Sequence, residues 1–517
     1  MNFLNRLTGA GRTMVILVVV AVVGALLYFS GATEKLASSK LFENDGPSSS
    51  VNTADKGDYD ATLAVNTYCG FEPIVWANGG LKGSTDSYLY KKYGIKLNIL
   101  IMDDFEAARA GLKDGSIDIE YCTLDALPTE MSSSGTMSDM KYFMLLNFSN
   151  GADALVADGS INNIGDLKGK KVAYAEGTAS HTLLLNTLET NGMTMNDIIP
   201  VKVGSGIEAA QAFKSKAVAA ACVWAPDDAD CVAAVKNSKV LTSTAVANSL
   251  VSDGLIAKKE WLENNKELAA KIVEGILWAN SEIKYNKDAF NDGAGVFAKA
   301  FETDKEFALA SASKISYATL DDEKNWFGMN SDYSGMTGER IYTKMSRTYT
   351  DIGLAKSVMP WMKIVYPDIL EMVISNNKLS NNQGATAAKK FTAPTENMKT
   401  EAALSTKKVT INFPTAGYTL DNTAQTIIDR EFVDIAMQFG NARIRVEGNT
   451  DDTGNYDSNV KLSQARAQSV VNYLINEYKM NKNRFIVVGN GPKHARANGV
   501  TGADEAYRTT EFQLLND

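Results

Sequence analysis

Residues 446–467 read VEGNTDDTGNYDSNVKLSQARA. They predict a strand, a loop and a helix in succession, and the C-terminal region arranges itself around that unit. Ile444 and Val446 alternate with Arg443, Arg445 and Glu447, which is the period of a half-buried strand. A polar stretch containing Gly448 and Gly454 breaks the pattern as far as Tyr456. From about Ser458, Leu462, Ala465, Ala467 and Val470 recur at helical spacing. Asp451 falls at the strand exit and Arg466 a turn or two into the helix, fifteen residues later. The spacing predicts a carboxylate beside a guanidinium at the mouth of the unit. Such a pair suits a ligand carrying both an ammonium and a carboxylate, the carboxylate being held bidentately by the Arg.

Thr450, Asp451, Gly454, Asn459, Leu462, Ser463, Arg466, Ala467 and Val470 keep the spacing TD-x-x-G-x-x-x-x-N-x-x-LS-x-x-RA-x-x-V. In this the chain resembles OmpA-like peptidoglycan-binding domains, which also occur in Pal-type lipoproteins and MotB-type stator subunits. The likeness runs over roughly 409–515, with an opening strand VTINF, a helix over 423–439 and a closing strand TTEFQLL. It implies an α+β domain over 407–517. Asp451 would take the ammonium of diaminopimelate in the peptidoglycan stem, Arg466 its carboxylate, and Asn459 would support the loop. Thr450, Gly454, Ser463 and Arg508 would complete that site. Two positions depart from the family: Asn449 stands where it places His, and Tyr507-Arg508-Thr509-Thr510 where it reads N-R-R-V.

A chain of 517 residues with 45% hydrophobic content predicts several packed domains. Its net charge of −9 argues against a nucleic-acid partner. The two histidines, His181 and His494, and the lack of Cys/His clusters at metal spacing leave little for Ser–His or metal catalysis. The chain reads as a binder and not an enzyme, with no cofactor. Near the start, residues 14–30 (MVILVVVAVVGALLYFS) carry no charge and follow Arg6 and Arg12. This predicts a retained transmembrane anchor in the inner membrane. Residues 1–13 would stay in the cytoplasm and the bulk of the chain in the periplasm. A cleaved signal peptide is the competing reading.

Residues 31–58 read as a polar linker, and 376–406 (NNKLSNNQGATAAKKFTAPTENMKTEAALST) as a second, flexible one. Fully extended, the second would reach on the order of 100 Å. Between them, 59–375 alternates strand-like and helix-like segments. ATLAVNTY, IKLNILIM and IDIEYC are followed by a restart at KVAYAE, IIPVKVG and AAACVW. That pattern predicts two α/β lobes with mainly parallel sheets, a hinged clamshell.

The block contains Thr67-Tyr-Cys-Gly-Phe-Glu-Pro73, Gly115-Ser-Ile-Asp118, Cys122-Thr-Leu-Asp125, Glu176-Gly-Thr-Ala-Ser-His181 and Val223-Trp-Ala-Pro226. In that order they resemble type II periplasmic solute-binding proteins of ABC importers, nearest the nitrate, sulfonate, taurine and thiamine-precursor group. Ligands of open α/β sheets sit beyond the carboxyl ends of strands. That rule selects Thr67, Tyr68, Phe71, Thr123, Asp125, Thr178, Ser180, His181 and Trp224 as the solute site. The helix opening at Gly177–His181 favours an anionic group, whereas Asp125, Glu176 and Asp227 favour an amine or cation. Four cysteines, Cys69, Cys122, Cys222 and Cys231, leave disulfides or buried thiols open.

Two functions follow. One is a membrane-anchored, wall-docked receptor that captures a small solute, expected to be anionic, for an ABC permease or sensor. The other is a MotB-like scaffold for a TolQ/MotA-like membrane partner. Residues 14–30 lack the ionisable group that an ion-driven stator requires.

Overall fold

The computed structural model describes residues 57–516 apart from 134–136, 412, 414 and 415. The cytoplasmic segment 1–13, the membrane anchor 14–30 and almost all of the first linker lie outside the described residues. Among the described residues no helix is long and apolar enough to cross a membrane.

The first lobe is built on β1 (Ala61–Val65), β2 (Leu97–Ile101), β3 (Ile119–Thr123) and β4 (Met140–Ser149). The chain then enters a second lobe of β5 (Asp153–Ala157), β6 (Lys171–Ala175), β7 (Ile199–Val203), β8 (Ala220–Trp224) and β9 (Lys239–Ser243). It returns through β10 (Ser252–Lys258) and β11 (Ile315–Tyr317). Sheet order is β11-β4-β10-β3-β1-β2 in one lobe and β7-β6-β8-β5-β9 in the other. Every residue of β1 and β5 is buried, as expected of strands covered on both faces. The helices between them have local start and stop signals. Asp104 accepts the Ala107 N–H to open Phe105–Asp114, and Gly115 closes it at φ +85°.

The sheets are mixed and not mainly parallel. β10 runs antiparallel to both β3 and β4, and β5 antiparallel to both β8 and β9. The reason is topological: the strands that cross between lobes enter each sheet against its parallel members. The two crossings are tied at one residue. Thr244 Oγ1 shares a hydrogen bond with Ser149 Oγ at 2.7 Å and accepts the N–H groups of Gly151 and Asp153 at 3.0 and 3.2 Å. Helices between Lys266 and Asn376, led by the 20-residue Lys266–Tyr285, complete the first lobe.

The third domain holds β12 (Ser405–Val409), β13 (Arg443–Asn449), β14 (Phe485–Gly491) and β15 (Thr510–Leu515) in the order β12-β15-β13-β14. Its first strand starts earlier than VTINF. The helix expected over 423–439 is interrupted by a wider turn at Asp429–Val433. Stacked Phe432 and Phe512, with centroids 3.8 Å apart, anchor that broken helix on the sheet. The long helix Tyr456–Tyr478 lies across β13 and β14 at very close range. A Cβ at Gly448 would collide with the Ser463 carbonyl oxygen, and one at Gly489 with that of Val460.

Residues 376–406 form a strap and not a free tether. Asn381 Nδ2 donates to the Trp278 carbonyl at 3.0 Å, Gln383 Nε2 to Leu277 at 3.2 Å, and Asp322 accepts the Thr386 N–H at 2.7 Å. Farther on, Arg443 donates to the Thr392 carbonyl at 3.0 Å and Arg445 to those of Met398 and Glu401 at 2.8 Å. Arg443, Arg445 and Glu447, read as the wet face of a strand, are therefore buried. The strap covers them and satisfies the arginines with backbone carbonyls, as buried guanidinium groups require.

The third domain rests on the second lobe and the returning crossing. Gln438 Oε1 accepts from Asn186 Nδ2 at 2.6 Å and Lys344 Nζ at 3.0 Å, and its carbonyl accepts the Ser249 N–H at 3.2 Å. Asn441 Nδ2 donates to Ala245 O at 2.9 Å, and Ser405 Oγ to Thr190 O at 2.6 Å.

Gly448→Ala is expected to lower the unfolding free energy of the third domain by about 1–3 kcal/mol or more, since the clash is with backbone. Denaturant titration of the variant reads this directly; a midpoint matching the parent protein contradicts the close helix–strand contact.

Candidate functional site

The junction between the two lobes is set by strand register. Tyr317 lies opposite Asn147, Asn147 opposite Asp253, and Asp253 opposite Thr123, across β11, β4, β10 and β3. Directly opposed residues present their side chains on one face, so these four make a continuous polar row. Thr123 Oγ1 donates to Asp253 Oδ1 at 3.2 Å. Asp125, just past β3, accepts the Ser252 N–H at 3.4 Å. From the other lobe comes Asp153, opposite Trp224 and fixed by the Thr244 contacts. Asp125, Asp153 and Asp253 are all buried, and no Lys or Arg pairs with any of them among the described residues.

Burial without a counter-ion favours the protonated carboxyl. It pushes Asp125 up to about 7, with Asp153 adding to the rise and a Thr182 hydrogen bond opposing it. Burial likewise lifts Asp153 to about 6 and Asp253 well above its ordinary value, the latter helped by the charges of Asp153 and Asp125. Tyr68 is raised first by burial and then by Asp253 and Asp153. On the helix Ala179–Glu189, His181 is held down to about 4 by burial and then by Lys202. Its Nδ1 accepts the Gly177 N–H at 3.3 Å, which leaves the proton on Nε2.

The expected solute residues separate into two groups. Tyr68, Thr123 and Asp125 lie beside the buried carboxyls at the lobe junction, and Ser180 Oγ and His181 Nε2 are buried without a hydrogen-bond partner. The others have structural duties. Thr67 gives both its N–H and its hydroxyl to Asp103 at 2.7 and 2.9 Å. Phe71 is 1% exposed and packs edge-on against Tyr121 in the core. Thr178 caps the helix by accepting the Ser180 N–H and donates to the Ala175 carbonyl. Trp224 lies against Gly206, where a Cβ would strike its ring.

Asp153, Asp253 and Asn147 were missed. A signal for the two Asp residues was present. The crossing strands read DALVA (153–157) and DGLIA (253–257), a repeated D-x-L-[VI]-A. The four cysteines are buried free thiols, and burial pushes Cys69 up to about 12 and Cys231 to about 11. The cavity of about 530 Å³ elsewhere in the molecule lies under the strap, bordered by Trp326, Phe391, Met437 and Tyr478. None of Asn147, Asp125, Asp153 and Asp253 lines it.

In the third domain the loop after β13 is stiffened from within. Asn459 Nδ2 donates to the Thr453 carbonyl at 2.9 Å, Asn455 caps the following helix, and Gly454 turns the chain at φ +90°. Asp451 accepts from Arg508 at 2.7 Å and from the Asp504 N–H at 3.2 Å. Its direct ion partner is thus Arg508 and not Arg466. Arg466 Nε instead donates to Gly417 O at 3.0 Å, with its guanidinium 4.9 Å from the Phe413 ring centre. Burial and then Arg508 depress its pKa while Asp451 opposes, which puts the three groups within one another's fields. Thr450 Oγ1 is buried without a partner. Ser463 faces inward: it accepts the Gly491 N–H at 2.9 Å and donates to Val460 O, holding helix to strand. Beside the loop, Arg496 pairs with Asp452 at 2.7 Å and lies over Tyr456, a contact unforeseen in the sequence.

Residues 89–286 match the family described as NMT1/THI5 like, and residues 412–509 match the OmpA family. A Brucella abortus binding protein is 22% identical over 257 residues, 48% of this chain and 77% of the relative. An aliphatic sulfonates-binding protein of Escherichia coli is 41% identical over 73 residues, 14% of this chain and 23% of that one. Among solved structures, the Escherichia coli periplasmic aliphatic sulphonate binding protein SsuA aligns with a TM-score of 0.48 at 16% identity, over 65% of this chain and 97% of its own. The nitrate-binding protein NrtA of Synechocystis PCC 6803 aligns at 0.46 and 14%, over 62% and 89%.

The cleft carboxyls bind protons more tightly folded than unfolded. The stability they contribute is complete below about pH 4 and is lost as pH rises through 6 to 7. His181 acts oppositely, its contribution present above 6.5 and lost as pH falls toward 4. With three carboxyls against one imidazole, the melting temperature is expected to fall from about pH 5 to about pH 8. Asp125→Asn should flatten that fall and raise the value at the alkaline end. An unchanged slope in the variant contradicts the burial argument.

Proposed function

We propose that this chain, an NMT1/THI5-like domain joined to an OmpA-family domain, is a cell-envelope binding protein that captures a small solute while holding peptidoglycan. The observation that carries the wall-binding half is the gathering of Asp451, Arg466 and Arg508 around one stiffened loop. A diaminopimelate centre offers an ammonium to Asp451 and a carboxylate to the two arginines. Arg508, about half exposed on its side chain, is free to turn from Asp451 to that carboxylate. The exchange replaces one charge-assisted contact with two. Arg508 thereby takes a direct part that the sequence pattern left to Arg466.

The solute half rests on the two lobes and on the polar residues buried where their crossing strands meet. Closure of the lobes on a solute presents a changed outer surface to a membrane partner, an ABC permease or a sensor. The apolar run 14–30 holds the chain in the inner membrane, with its N-terminus in the cytoplasm and the described domains in the periplasm. The family matches favour this reading over a purely mechanical scaffold, because they give the middle of the chain a solute-binding-protein likeness.

Asp451→Ala, Arg466→Ala and Arg508→Ala are each expected to cut retention on purified peptidoglycan by at least about tenfold. Circular dichroism should stay unchanged. Retention equal to the parent protein in all three variants overturns the assignment. Ser463→Ala should instead lower thermal stability, since its hydroxyl joins helix to strand.

A further inference from the structure

We propose that the cleft takes a solute through a cationic, N–H-rich head such as an ammonium or amidinium, and not through the anionic group that the helix opening at Gly177–His181 predicts. This names the ligand class of the solute site proposed above and rests on that reading.

The argument is an account of donors and acceptors. Asp125 and Asp253 of one lobe and Asp153 of the other lie within one another's fields at the lobe junction, and no basic side chain among the described residues pairs with them. An acidic cluster alone does not make a site, but two further atoms point the same way. Asn147 is 0% exposed and adjoins Asp253 in register. It spends its Nδ2 on the Gly70 carbonyl at 3.2 Å, and its Oδ1 has no partner. Asp125 Oδ2, equally buried, is also without one. Buried polar atoms in native proteins are nearly always hydrogen-bonded, so orphaned acceptors imply a donor that arrives from outside. Sulfonate, nitrate and carboxylate heads bring only acceptors. Such a head could be met only by protonated carboxyl O–H groups, would be repelled by any carboxyl that ionises, and would leave the Asn147 Oδ1 acceptor unpaired.

A bare metal ion is the other cation to weigh. Among the described residues no three His, Cys, Asp or Glu side chains are grouped to hold one. The acceptors are instead spread along the row from Asn147 to Asp253 and onward to Asp125 and Asp153. That spread suits an organic cation whose several N–H bonds point in different directions. The donor on His181 Nε2 is single and uncharged.

The test compares two probes of matched shape and opposite charge, benzamidinium and benzenesulfonate, by calorimetry and thermal shift on the purified protein. Benzamidinium should raise the melting temperature and bind at least about tenfold tighter than benzenesulfonate. Asp253→Asn should weaken it by at least about tenfold. Asparagine resembles the protonated carboxyl in shape, so the variant should fold; Asp125→Asn provides a second case. Tighter binding of benzenesulfonate overturns the cationic assignment and leaves the solute-binding reading standing. Benzamidinium affinity unchanged in both variants removes the site from the cleft. No binding of either probe, nor of nitrate, taurine or propylammonium, overturns both.

Discussion

The Thr244 hydroxyl is the point on which the two lobes depend. The chain crosses between them twice, and at this residue the crossings are joined by one shared hydroxyl contact and two backbone N–H groups. A hydroxyl with one hydrogen and two lone pairs has little capacity left after such a set. Of the strands leaving this knot, β5 starts with Asp153 and β10 carries Asp253 as its second residue. Their burial thus follows from topology: the crossing strands run into the middle of their sheets, and their first residues lie where both lobes shade them from water. The raised pKa values of these carboxyls are a consequence of where the chain has to pass.

The third domain depends on a different constraint, the closeness of one helix to two strands. Gly448 and Gly489 let backbone meet backbone, and Ser463 closes the contact through the Gly491 N–H. With the helix fixed so tightly, the loop between β13 and the helix has little freedom. Asn459 and Asn455 remove more of it. Asp451 and Arg466 therefore hold their positions through residues that never need to touch a ligand. Preorganisation of this kind reduces the ordering cost that binding would otherwise carry.

Much of this was legible. ATLAVNTY, IDIEYC, KVAYAE and AAACVW each contain a strand, and the register TD-x-x-G through RA-x-x-V located the third domain. What escaped had physical reasons. Arg443, Arg445 and Glu447 read as a solvent face because alternation cannot reveal that a strap from fifty residues upstream will cover it. The strap itself, polar and Ser/Asn-rich, has a linker's composition; its order comes from carbonyls and carboxylates that only the fold presents. Thr178 and Phe71 lie at strand ends as the ligand rule demands, yet capping and core packing claim them, and Trp224 lies against Gly206. Asp153 and Asp253 sit at strand beginnings, where that rule does not look, and only their repeated D-x-L-[VI]-A setting marked them.

The helix Ala179–Glu189 is gripped at both ends. Its first turn carries Ser180 and His181 in the cleft, and its last carries Asn186 and Glu189, bonded to Gln438 of the wall domain and to Lys344. A rigid rod of this length transmits a displacement and does not absorb it. Thermodynamic linkage then imposes reciprocity. Any factor by which an event at Ser180 and His181 changes the seating of the third domain returns from that seating to the event with the same magnitude and sign.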